Sequence, residues 1–203
     1  DIEQYRKFVT EVGDDFQIVE NQLDEEIEKL RPLIEEKVIS WNGNEIQEIL
    51  KEILTDKKLT IPTAESCTGG ELARLITSVS GSSKYFQGGI VPYDYHQKIK
   101  ILGVSAETIS EKTVVSEEVA QEMTLGCQKL FGTDISLSTT GVSGPNSDEF
   151  NNEIGVIFYS IRVRDFEKTN RLFLPHLERN DFANYVSQRV LQDLVEILVK
   201  EIS

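Results

Sequence analysis

The chain has 203 residues, which suits one domain with a small appendage, and 39% of them are hydrophobic, enough for a sizeable core. With a formal net charge of −14, direct nucleic-acid binding is not expected, because duplex binding needs phosphate neutralisation by clustered Lys and Arg and no such cluster is present. No apolar run reaches 18 residues, so no membrane span is expected, and the expected location is cytoplasmic.

Residues 1–58 carry 16 acidic and 8 basic residues, against 19 and 13 in the remaining 145. The first segment is therefore denser in charge. In VENQLDEEIEKLRPLIEE, Val19, Leu23, Ile27, Leu30 and Ile34 recur at helical spacing, with Pro32 expected to break or kink that helix. ISWNGN reads as a turn, with Asn44 as a cap for the helix NEIQEILKEILTDKK, whose Ile46, Ile49, Leu50 and Leu54 share one side. The initial Asp1 is expected of a processed or excised piece. Residues 1–56 are expected to be a small α+β accessory segment and residues 57–203 the main domain.

From Leu59 the pattern changes. LTIPTA is a short β-branched run in which Pro62 predicts an edge strand or a bulge. TAESCTGG follows, then the helical ELARLITSV, then a short strand in GGIVPY. Residues 96–102 predict a brief helix, and SEEVAQEMTLGCQKLF a longer one capped by Ser116. DISLSTTG, IGVIFYSIRV and TNRLFLP read as strands. The last helix, within ERNDFANYVSQRVLQDLVEILVKEI, has an apolar stripe of Phe182, Val186, Val190, Leu194 and Leu198. Early alternation with two adjacent late strands predicts a three-layer α/β/α sandwich on a mixed sheet with an antiparallel edge pair.

Open sheets of this kind bind ligands beyond the carboxyl ends of their strands. TAESCTGG, GGIVPY and STTGVSGP all put small polar residues at such ends, so three segments are expected to converge on one pocket. Gly69 and Gly70 permit close backbone approach, and a helix starting near Gly69 would aim free N–H groups at an anion or oxyanion. Ser66 and Thr68 add hydroxyls, as do Thr139, Thr140 and Ser143. Cys67 at a helix start is a candidate nucleophile, with His96 or His176 as the available imidazoles. Two histidines without a compact carboxylate spacing argue against catalytic zinc. GSSKYFQGGIVPYDYHQK supplies Ser82, Ser83, Tyr93, Tyr95 and Lys98. A lysine whose pKa has fallen can activate a serine, so a Ser–Tyr–Lys group is chemically coherent, although Tyr93 as a packing aromatic and Lys98 as a solvated helix residue remain open on spacing alone.

TAESCTGG, ITSVSGSSKYFQGGIVPY, KIKILGVSAETI, VSEEVAQEM and TTGVSGP follow one another as in the carboxy-terminal domain of the competence/damage-inducible CinA family, which the chain resembles over about residues 57–200. Residues 1–56 resemble the end of the family's connecting module. The resemblance implies an α/β/α fold, a homodimer, no cofactor or metal, and hydrolysis of the carboxamide of nicotinamide mononucleotide to nicotinic acid mononucleotide and ammonia. It implies catalytic roles for Ser83, Tyr93 and Lys98, with Ser66 as the other serine in question, and substrate binding by Ser66, Thr68, Gly69, Gly70, Thr140 and Arg179. An inactive nucleotide-binding or interaction module, or an amidase for another carboxamide, are the alternative expectations. The chain departs from the family's usual Y-S-N-E-x-K with YDYHQK. After GVSGP it reads NSDEFNNEIGV, which brings Asp148, Glu149 and Glu153 towards the expected phosphate site.

Overall fold

The computed structural model describes residues 43–201, together with residues 21, 23 and 25–29, which are helical. The expected kink at Pro32 and most of the expected accessory segment lie outside the described residues. Contacts divide the chain into two units, residues 1–45 and 46–203. The division falls before the helix Ile46–Asp56 (α1), not after it as the sequence suggested. The reason is packing: Leu50 and Leu54 are buried in the same core as the sheet.

The second unit runs α1, β1 (Ile61–Glu65), α2 (Glu71–Thr77), a 3₁₀ turn (Ser82–Lys84), β2 (Phe86–Ile90), α3 (Tyr95–Leu102), α4 (Ala106–Lys112), α5 (Glu117–Phe131), β3 (Ile135–Gly141), β4 (Val156–Val163), β5 (Phe166–Phe173) and α6 (Arg179–Glu201). The strands form one sheet in the order β2-β1-β3-β4-β5. β1 pairs in parallel with β2 and β3, and β3, β4 and β5 pair antiparallel. Pro62 lies not on an edge but in β1 beside a register shift, the bulge alternative. A proline there donates no ladder bond, and the irregularity absorbs the loss. β5 begins at Phe166, earlier than TNRLFLP suggested, and α4 was not expected at all.

Helices cover both faces. On one, Leu50 and Leu54 of α1, Leu72, Leu75 and Ile76 of α2, and Phe182, Val186, Val190 and Leu194 of α6 meet Ile61, Leu137, Tyr159 and Ile161 of the strands. On the other, Leu102, Ile109, Val119, Met123 and Cys127 pack around Ala64. That face of β3 is built from hydroxyls: Ser136 Oγ donates to the Thr124 carbonyl oxygen at 2.9 Å and Ser138 Oγ to that of Ala120 at 2.7 Å. Small side chains let α5 approach closely, and both of these serine hydroxyls have a partner. Gly126 makes a similar approach on the other side of α5. A Cβ there would stand 1.9 Å from the Leu102 carbonyl oxygen, so glycine is what lets α5 lie against the end of α3.

Candidate active site

β1 lies between β2 and β3: the chain passes from β1 through α2 to β2 on one side and then from β2 through α3, α4 and α5 to β3 on the other, leaving a crevice at the carboxyl ends of the parallel strands. A cavity of about 400 Å³ sits there, the size of a small-molecule site. The three segments singled out from the sequence do converge on it: Ser66 and Cys67 after β1, Tyr93, Asp94, Tyr95 and Lys98 after β2, and Thr140, Gly141, Val142 and Ser143 at the end of β3. Arg179 and the loop residues Asn146 to Phe150 complete the wall.

Its chemical centre is a serine–lysine pair. Lys98 Nζ donates to Ser66 Oγ at 2.8 Å and to the Pro92 carbonyl oxygen at 2.8 Å. Lys98 is 1% exposed. Burial pulls its pKa down from 10.5 to about 8, while the charge of Asp94 works the other way. The lysine is held by a helix capped at both ends: Asp94 accepts the His96 amide at 2.8 Å, and Gly103 adopts the left-handed conformation that closes the other end. Ser66 is fixed through its backbone, whose N–H donates to the Thr139 carbonyl oxygen at 3.0 Å, tying the end of β1 to β3.

Ser83 is not part of this arrangement. It is exposed on the 3₁₀ turn that leads into β2, at the opposite end of the parallel strands from the cavity. The serine joined to Lys98 is Ser66. Tyr93 does line the cavity, but it is 61% exposed, and its hydroxyl accepts from Arg179 Nη1 at 3.0 Å and bonds to neither Ser66 nor Lys98. Arg179, at the first position of α6, also donates to the Gly144 carbonyl oxygen. Thr140 is buried at the wall and donates to the Val114 carbonyl oxygen at 2.7 Å.

The glycine-rich helix entry is organised differently from expectation. α2 starts at Glu71 with Gly70 as its cap, close to the expected place, but its amides are already taken. The buried carboxylate of Glu65 accepts from the amides of Gly70, Leu72 and Ala73 at 3.0, 2.9 and 2.9 Å and from Thr68 Oγ1 at 2.8 Å. The Gly69 amide donates to the Ser66 carbonyl oxygen. Thr68, Gly69 and Gly70 therefore build the corner instead of offering donors to a ligand, and they line a separate concavity with Arg74 and Asn180. Among the described residues the Cys67 amide, next after Ser66, donates to no backbone carbonyl; the group it faces is its own thiol.

Cys67 is buried, and that burial pushes its thiol up to about 12, the wrong direction for a thiolate nucleophile. His96 is exposed and pairs with Asp94 at 2.9 Å, so no Cys–His pair forms. Among the described residues no three His, Cys, Asp or Glu side chains are placed to hold a metal ion, and no helix is long and apolar enough to cross a membrane.

The sequence reading missed the organising groups. Glu65 reaches across the turn from a strand end, outside any N-cap position, so spacing gave no sign of it. Asp94 immediately before a helix was a legible cap signal. The loop after β3 is set by Asp148, whose carboxylate accepts the Phe150 and Asn152 amides at 3.1 and 2.9 Å, and by Phe150, whose ring meets that of Tyr95 edge-on at 5.6 Å.

A helix-covered mixed sheet with a buried lysine on a serine hydroxyl defines an α/β protein with a built small-molecule cleft. The chain belongs to the CinA family: the family described as CinA C-terminal domain matches residues 43–198. It is 39% identical over 191 residues to a CinA-like protein of Flavobacterium psychrophilum, covering 94% of this chain and 44% of that protein. With a CinA-like protein of Chloroherpeton thalassium it shares 37% identity over 193 residues, 92% of this chain and 46% of the relative. The chain thus matches less than half the length of these relatives. Among solved structures, a competence or damage-inducible protein from Enterobacter asburiae superposes with a TM-score of 0.73 at 28% identity, covering 77% of this chain and 99% of that one. The competence damage-inducible protein A of Klebsiella pneumoniae gives 0.73 at 27% identity, covering 78% and 99%.

Proposed function

We propose that this chain is a serine amidohydrolase that deamidates nicotinamide mononucleotide, with Ser66 as nucleophile and Lys98 as its base. The observation that carries the reading is the 2.8 Å contact between Lys98 Nζ and Ser66 Oγ, with the lysine buried and its pKa lowered to about 8. A lysine in this state reaches its neutral form near physiological pH, which is what proton abstraction requires.

In the forward direction neutral Lys98 takes the Ser66 hydroxyl proton as Oγ attacks the carboxamide carbon. The Cys67 N–H is the donor for the developing oxyanion, from the position next after the nucleophile. The tetrahedral adduct collapses, the C–N bond breaks, and the proton on Lys98 leaves with the amine as ammonia. Lys98 then takes a proton from water, which attacks the acyl carbon. The bond between the acyl carbon and Oγ breaks as the proton held on Lys98 returns to Ser66 Oγ, and the carboxylic acid so formed loses its remaining proton to solvent to give the carboxylate product. Arg179 and Tyr93, at the mouth, bind the ribose phosphate. Thr140 Oγ1, whose proton is committed to Val114, offers lone pairs only.

The reading includes a homodimer, as the family resemblance implies, and the cytoplasmic location expected from the sequence. Its test is ammonia release from nicotinamide mononucleotide by wild type and by Ser66→Ala. Release that persists in the variant removes Ser66 from its role, and no release from wild type, with the mononucleotide still bound, supports a binding module instead.

A further inference from the structure

The loop after β3 gives the cavity an unusual charge balance. Asp94, Asp148 and Glu149 line it against only Lys98 and Arg179. Once Lys98 is neutral, as the reacting state requires, three carboxylates face one guanidinium. The carboxylates are not equivalent. Asp94 Oδ1 accepts the His96 amide and ring nitrogen, and Asp148 accepts three hydrogen bonds within its own loop, from the Phe150 amide and from the amide and Nδ2 of Asn152. Glu149 makes no hydrogen bond among the described residues, so its charge is left to act on whatever occupies the cavity. The loop that carries it is held in place by the Phe150–Tyr95 ring contact and by Thr113 Oγ1, which bonds Asn152 Oδ1 at 2.8 Å.

Amide hydrolysis changes the ligand by one full charge: a neutral carboxamide enters and a carboxylate remains beside Ser66. The ammonium form of Lys98 would hold that new anion in place and slow its departure. We infer that Glu149 discriminates against the carboxylate product, so that the cavity binds carboxamide in preference to the acid it makes. This rests on the amidohydrolase reading above. Glu149 is exposed, so it acts through a water-like dielectric, where one like charge in the cavity wall changes product affinity by about threefold at most.

The test compares nicotinamide mononucleotide with nicotinic acid mononucleotide by calorimetry on Ser66→Ala and on Ser66→Ala/Glu149→Gln, variants that bind without turnover. The expected result is a preference for the carboxamide in the first protein that narrows by up to about threefold in the second, chiefly through tighter product binding. An unchanged ratio, product binding as tight as carboxamide binding in Ser66→Ala, or binding of neither ligand overturns the inference. Loss of the amidohydrolase reading is seen separately, as absence of ammonia release from wild-type protein.

Discussion

Lys98 Nζ and Ser66 Oγ stand 2.8 Å apart although 32 residues separate them in the chain. The first sits on a helix after β2 and the second at the end of β1, so the parallel pairing of those strands is what brings the two groups together. Ser66→Ala is expected to lower ammonia release by at least about 10³-fold, the scale seen when a nucleophile is deleted from a serine enzyme. Ser83→Ala, at the far end of the sheet, should leave turnover within about twofold. Steady-state assays of the two variants side by side decide between the serines.

Activity should rise with pH through about 8, because the neutral lysine is the reacting form and burial places its pKa there. The measurement is kcat/KM between pH 6 and 9.5. A profile flat across that range would remove Lys98 as the base.

The same buried lysine carries a stability cost. Its folded pKa lies below its unfolded value, so between about 8 and 10.5 the unfolded chain binds a proton that the folded chain does not. Stability from this group therefore rises with pH across that window, and the cost is fully present below pH 8. Lys98→Met should abolish activity yet raise stability at pH 7 by about 1 kcal/mol, the burial penalty being partly offset by the hydrogen bonds lost at Pro92 and Ser66. The advantage should shrink as pH approaches 10, which thermal melts at several pH values would show.

Glu65 satisfies four donors from a site with no solvent contact. Glu65→Gln turns an amide NH₂ towards N–H groups and should cost about 2–4 kcal/mol. Chemical denaturation should show a lower midpoint with an unchanged slope.

Gly126→Ala forces a methyl group into the Leu102 carbonyl. Because that contact is backbone, α5 and the end of α3 must separate, at a cost of about 2 kcal/mol or more. As α3 carries Lys98, the variant should lose turnover beyond what its folded fraction explains, measured by activity per folded molecule.

Much of the fold was legible in the residues. DISLSTTG and the β-branched IGVIFYSIRV marked β3 and β4, Ser116 marked the start of α5, and small polar residues at three strand ends marked the cleft. What escaped was long-range. Nothing local distinguishes Ser66 from Ser83, since both sit among small polar residues, and only the strand direction puts one in the cleft and the other at the opposite end. The amides after Gly69 looked available because a helix start exposes them in isolation, whereas Glu65 claims them in the folded chain. Helix α1 looked like an appendage by its charge density, yet Leu50 and Leu54 are buried in the main core.

The carboxylate of Glu65 in effect occupies the niche where an oxyanion would otherwise settle. The positive end of α2 is spent on an internal tenant, so a phosphorylated ligand gains nothing from it and must rely on the guanidinium at the rim.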